Sequence, residues 1–259
     1  MSSALAIQAG SVARRSVVRT LRQPAMVVPS LVFPLILLAV NSGGLDAATR
    51  LPGFPTDSYL TFALAIAFVQ GALFAANSAG TNVANDVETG FLNRLSLTPL
   101  RRIALLTGQL SGVVVLGLIQ AVTYLTAGAV AGAEFETGVP GALVIVLLSL
   151  LISLGFGALG AFAALRAGSA ETVQGLFPLM FAALFLSSMA LPRDLIETDW
   201  FRTIADWNPV SYMLEAIRAL MLEGWDGEAL ALGFGFAGAL ALITLTAATF
   251  ALRTRMTRT

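Results

Sequence analysis

The chain of 259 residues has no cysteine and no histidine, and all fifteen of its basic residues are arginine, so it also has no lysine. Without cysteine there is no disulfide, iron–sulfur or thiolate–zinc site. Without histidine there is no Ser-His-Asp triad and no H-E-x-x-H zinc site. Without lysine there is no Walker A loop, whose lysine contacts the terminal phosphates of a nucleotide, so the chain is not a P-loop ATPase by itself. Charge of either sign is scarce, at 12% of residues against about 25% in soluble domains. Apolar residues make up 57% and the mean hydropathy is +0.83. So much apolar surface and so few charges require lipid as part of the solvent.

Charges punctuate the chain, and the gaps between them measure the spans. Uncharged runs extend from Gln23 to Leu45, Ser58 to Asn85, Ile103 to Ala133, Thr137 to Leu165, Thr172 to Pro192 and Ala229 to Leu252. Each exceeds the ~20 residues that cross a bilayer as helix. A stretch such as Leu143 to Leu154 is apolar nearly throughout, without the alternation of a barrel strand. The expectation is an all-α polytopic membrane protein with six transmembrane helices, one domain over 1–259. Arginine collects in short cytoplasmic loops. With the N-terminus inside, eleven arginines and three acids face the cytoplasm, against four arginines and twelve acids outside. Both termini are therefore expected to be cytoplasmic. Residues 1–22, with Leu5, Val12, Val17, Val18 and Leu21 set between four arginines, read as an amphipathic helix on the anionic inner leaflet.

No Asp, Glu or Arg falls near the centre of any of these runs, where one costs about 2.5 to 3.5 kcal/mol. Ion-coupled transporters use such groups for coupling, so energy for uphill movement is expected to enter from outside the bilayer. The same absence leaves no metal site and no catalytic residue to name. Gln70, Asn77, Gln109, Gln120, Tyr124 and Gln174 read first as interhelical hydrogen-bonding groups, and second as a lining. Gly108 with Gly112, and Gly128 with Gly132, form GxxxG pairs suited to close helix contact.

Two segments outside the spans carry pattern. In the first, Asn85 is placed to cap a helix with Glu88 reaching back as in a capping box. Val87, Phe91 and Leu95 recur at i, i+4 and i+8, and Pro99 disfavours helix at Thr98. A short amphipathic helix over 85–98 is expected at the cytoplasmic surface, either resting on lipid or fitting a groove on a partner. In the second, between Arg193 and Glu228, Ile196, Trp200, Ile204 and Trp207 suggest one amphipathic helix. Asn208 caps and Pro209 starts another, with Met213, Ile217 and Leu220 on one face and Glu215 and Arg218 turned away. Trp200, Trp207 and Trp225 read either as membrane-belt anchors or as parts of an external gate pivoting at Asn208 and Pro209.

The run from Glu88 to Arg102, with Gly90, Phe91, Leu92, Arg94, Leu95, Thr98, Pro99 and Arg101, resembles the coupling-helix segment of ABC-2 type transporter permeases of the daunorubicin- and drug-resistance-exporter kind. Leu191-Pro192, Trp200-Phe201, Asn208-Pro209, Tyr212 and Ile217 to Leu220 resemble the same family's external signature. The resemblance implies two permeases, a second copy or a homologue, paired with two separate ABC ATPase subunits in a bacterial cytoplasmic (inner) membrane. ATP and magnesium would belong to the partner, with no cofactor in this chain and no nucleic-acid partner. Glu88, Gly90, Phe91, Leu92, Arg94, Leu95, Thr98, Pro99 and Arg101 would couple to the ATPase, with Phe91, Leu92 and Leu95 as apolar knobs. Residues 193–228 would form re-entrant helices, with Trp200, Trp207, Asn208, Pro209, Tyr212 and Arg218 at an external gate. The expected function is export of a hydrophobic drug, an antibiotic or a lipid-linked molecule. The alternatives are a polysaccharide or glycolipid export permease and, from another class, an ATP-independent channel or secondary transporter.

Overall fold

A computed structural model describes residues 2–91 and 102–256, and every regular element among them is helical. In chain order these are α1 (Ser2–Leu21), α2 (Pro24–Leu45), α3 (Tyr59–Glu88), α4 (Arg102–Val130), α5 (Gly138–Ala167), α6 (Ala170–Phe185), α7 (Asp199–Trp207), α8 (Pro209–Arg218) and α9 (Gly227–Met256). Short 3-10 turns lie at Asp46–Arg50 and Arg193–Leu195, and α8 runs on into a π-helical turn at Ala219–Glu223.

The ends follow local chemistry. Ser58 and Ser169 cap α3 and α6 by accepting from the amides of Thr61 and Thr172. Gly168, at φ 77°, closes α5 in the left-handed conformation that glycine adopts without penalty. Pro34 inside α2 has no N–H to donate to the carbonyl of Ser30, four residues back. The hydroxyl of Tyr124 on α4, itself buried, donates to that carbonyl instead.

α3 is the central helix, 89% buried over its most apolar stretch, with α2, α4, α5 and α6 around it. It touches α5 through small residues: Gly160 lies on the backbone of Ala76 with no room for a side chain. The outer faces are apolar as well, with Val40 on α2, Leu143 on α5 and Leu242 on α9 all more than 60% exposed. Such faces require lipid around them.

Among the described residues five helices, α2, α3, α4, α5 and α9, are long and apolar enough to cross a membrane. The fifth of the six expected spans differs. It ends at Phe185, not Pro192, and its 16 residues reach about 24 Å at 1.5 Å per residue, short of the ~30 Å hydrocarbon core. The chain leaves the helix because its polar groups find other partners. Ser187 Oγ turns back to the carbonyl of Leu184, and the Ser188 amide bonds Ser211 Oγ at 3.0 Å.

Candidate coupling and gating sites

α1 does not simply rest on lipid; it is clamped to the C-terminal end of α3 and the N-terminal half of α4. Gly108 and Gly112 receive it: a Cβ at Gly108 would stand 2.5 Å from Val12, and one at Gly112 would stand 2.6 Å from Ser16 Oγ. Ser16 Oγ donates to the carbonyl of Gln109 at 2.7 Å. Arg15 and Arg19, four apart and so on one face, both turn to Asp86, which is only 4% exposed. Arg15 binds it through two nitrogens, at 3.2 and 3.0 Å, and Arg19 through one at 2.8 Å. Gln109 Nε2 donates to the same carboxylate at 3.3 Å. A buried carboxylate with two cations and an amide is fully compensated. The second GxxxG pair works differently: Gly128 packs under Leu64, while Gly132 lies in the turn after α4, at φ 92°.

The start of the coupling segment requires a correction. Asn85 is not a cap but part of the last turn of α3, its carbonyl accepting from the Thr89 amide at 3.0 Å. The break comes at Gly90, φ 66°, a left-handed conformation that glycine adopts without penalty. Glu88 does not reach back to Asn85; its Oε1 accepts from the Ala170 amide at 3.0 Å, capping the N-terminus of α6. A first-turn N–H, otherwise unsatisfied, is a better donor than one already in a helix. The Phe91 ring lies under the Arg15 guanidinium, 3.9 Å from its centroid. Arg15 thus touches both the buried Asp86 and the first aromatic of the segment expected to couple to the ATPase. Leu92, Arg94, Leu95, Thr98, Pro99 and Arg101 lie outside the described residues.

At the other end, Arg218 is corrected too: its side chain points inward and it is 5% exposed. Its Nη1 and Nη2 donate to the carbonyls of Ser188 and Met189 at 2.6 and 2.7 Å, and its Nε donates to Phe62 at 3.2 Å. The guanidinium plane lies 3.6 Å from the centroid of the Phe62 ring. The Tyr59 hydroxyl takes the next carbonyl, Ala190, at 2.9 Å. Leaving α6 at Phe185 is what presents this row of carbonyls. Burial pulls the Arg218 guanidinium below its ordinary pKa, with Glu215 and Tyr59 opposing the shift. Glu215 is pushed above the ordinary carboxylate range by burial, opposed by Arg193, which it meets at 2.5 Å.

Asn208 caps the helix that Pro209 starts, as its position predicts, and it also reaches α6. Its Oδ1 accepts from the Val210 amide at 3.0 Å to cap α8, whose first residue is Pro209. Its Nδ2 donates to the carbonyls of Ala183 and Leu186, at 2.6 and 3.0 Å, closing α6. Tyr212 stacks on Phe236 at 4.6 Å, and the Arg193 guanidinium lies over the Tyr212 ring, 4.4 Å from its centroid. Tyr212, Glu215 and Arg218 line a cavity of about 550 Å³. Trp200 and Trp207 are not part of it; they are 63% and 84% exposed. The expected stripe through Ile196 is split, because α7 begins only at Asp199 and Ile196 is buried before it. Glu215, Arg193, Arg15, Arg19 and Asp86 were missed as site residues. The Arg15 and Arg19 spacing was the available signal, but it named no partner 67 residues or more away.

A family model described as ABC-2 type transporter matches residues 7–222. The chain belongs to the ABC-2 type transporter family. A daunorubicin resistance ABC transporter permease protein of Streptomyces coeruleorubidus is 29% identical over 237 residues, 86% of this chain and 79% of that one. A protein of Porphyra purpurea bearing the name of a transport permease is 30% identical over 200 residues, 76% and 68% of the two chains. A Mycobacterium tuberculosis protein, named as a probable doxorubicin resistance ABC transporter permease, is 26% identical over 157 residues, 59% and 56%. An ABC-2 permease is a multi-pass membrane protein that is not itself an ATPase and belongs with ABC ATPase subunits. In this ABC-2 chain the family match runs from within α1 to the π-helical turn, so it spans both the Asp86 clamp and the Arg218 network.

Proposed function

We propose that the chain is one permease of an ATP-driven exporter in a bacterial inner membrane. It pairs with a second permease, identical or homologous, and two ATPase subunits dock at the segment that begins with Phe91. The cargo is a hydrophobic drug, an antibiotic or a lipid-linked amphiphile, in keeping with the resistance names of its relatives. The observation that carries the reading is the Arg15 bridge between Phe91 and Asp86. A push on Phe91 reaches α1 and α3 through the Arg15 guanidinium, and α4 through Gln109 on the same Asp86 carboxylate, so motion delivered at the inner surface need not pass through loops. The Arg218 and Asn208 networks then form the outer end, where α6, α8 and α3 are held together. The test is co-purification with the cognate ATPase from mild detergent. Phe91→Ala is expected to weaken association roughly tenfold, the loss of one buried aromatic anchor. Unchanged association together with unchanged ATP-dependent export would overturn the docking assignment.

A further inference from the structure

A groove of about 640 Å³ runs between α5 and α6 on the outside of the bundle. Phe156, Leu159 and Ala163 form its α5 wall, and Leu176, Leu179 and Met180 its α6 wall. It is open: Leu179 is 66% exposed. At one end stands Arg166, exposed on the last turn of α5. Among the described residues it has no hydrogen-bond or ion-pair partner. Behind it a second guanidinium, Arg255, donates to the carbonyl of Leu165 at 2.8 Å. From Phe156 to Arg166 is ten residues of helix, about 15 Å, which is half of a ~30 Å hydrocarbon core.

We propose that this groove holds one anionic phospholipid of the cytoplasmic leaflet, with an acyl chain along α5 and α6 and its phosphate on Arg166. The placement rests on the inward orientation of the arginine-rich ends. Length and charge together select this occupant. The apolar walls extend over one leaflet and end at a cation at headgroup depth, whereas a packed helix would need contact across the full thickness and a partner for the arginine. The apolar walls accept any acyl chain, so Arg166 supplies the preference for negative charge.

Native mass spectrometry of the full chain in detergent tests this, with phosphatidylglycerol or phosphatidylcholine of matched chains added. The wild type is expected to retain one phosphatidylglycerol per chain in preference to phosphatidylcholine. Arg166→Gln, at an exposed site, is expected to reduce phosphatidylglycerol retention roughly fivefold, the weight of one basic residue near an anionic surface, and to leave phosphatidylcholine unchanged. Ala163→Trp, which fills the groove, is expected to reduce retention of both. Equal retention of the two lipids by the wild type, or undiminished phosphatidylglycerol retention in Arg166→Gln, overturns the proposal. So does efficient cross-linking of two chains through Leu179→Cys, which would show a second copy covering the groove.

Discussion

A guanidinium that is 5% exposed must find its acceptors within the protein, and Arg218 finds them on three carbonyls from two distant segments. Its removal leaves those acceptors unpaired and opens a space beside Phe62. Arg218→Met is expected to destabilise the fold by about 3 kcal/mol, read as a lowered thermal midpoint in detergent. Arg218→Lys keeps the charge but not the fork of donors, so it should fall between. Asp86 poses the reverse case, one carboxylate serving two arginines and an amide. Asp86→Asn has the same shape and cannot neutralise them, so α1 should detach more readily. Limited trypsin digestion is expected to cut at Arg15 and Arg19 about tenfold faster. In the Arg15→Gln background the added effect of Asp86→Asn should be smaller, since the two side chains share one interaction.

Among the elements, the long apolar helices were legible because span length and uncharged runs are local properties: the helix expected from Ser58 starts at Tyr59, and the one expected from Thr137 starts at Gly138. What failed depended on distant partners. Glu88 caps α6 and not its own segment because α6 arrives beside it with a free amide, a meeting that no spacing announces. Sequence alone extends α6 through Leu186 to Pro192 because that stretch is uncharged, yet Arg218 takes the carbonyls of Ser188 and Met189. Arg218 itself was placed outward by helical periodicity, which assigns charge to water unless acceptors are known. Asn208 was legible, being a capping residue before proline, although its grip on α6 was not. Replacing it with alanine removes one cap and two donors, and a loss of about 2 kcal/mol is expected. Asn208→Asp retains the Val210 cap but turns an acceptor oxygen toward the two carbonyls of α6, so a midpoint at or below that of Asn208→Ala should result. If Asn208→Asp matched the wild type, the link to α6 would carry no stability.

The molecule as a whole places a charge-clamped network and a hydrogen-bonded network at opposite ends of one central helix, α3, through Asp86 and Phe62. The arginine asymmetry predicts that the Asp86 end faces the cytoplasm. With no native cysteine, single cysteines report sidedness without background. A membrane-impermeant maleimide applied to intact cells should label Thr49→Cys directly and Thr257→Cys only after permeabilisation; the reverse order would invert the topology. The division of labour between this chain and an ATPase is tested most directly by cargo flux in vesicles reconstituted with purified subunits. Uptake against a gradient is expected only when the permease, its ATPase subunit and ATP are all present, and it should fall with Phe91→Ala. Accumulation of cargo by the permease alone, with no nucleotide, would contradict it.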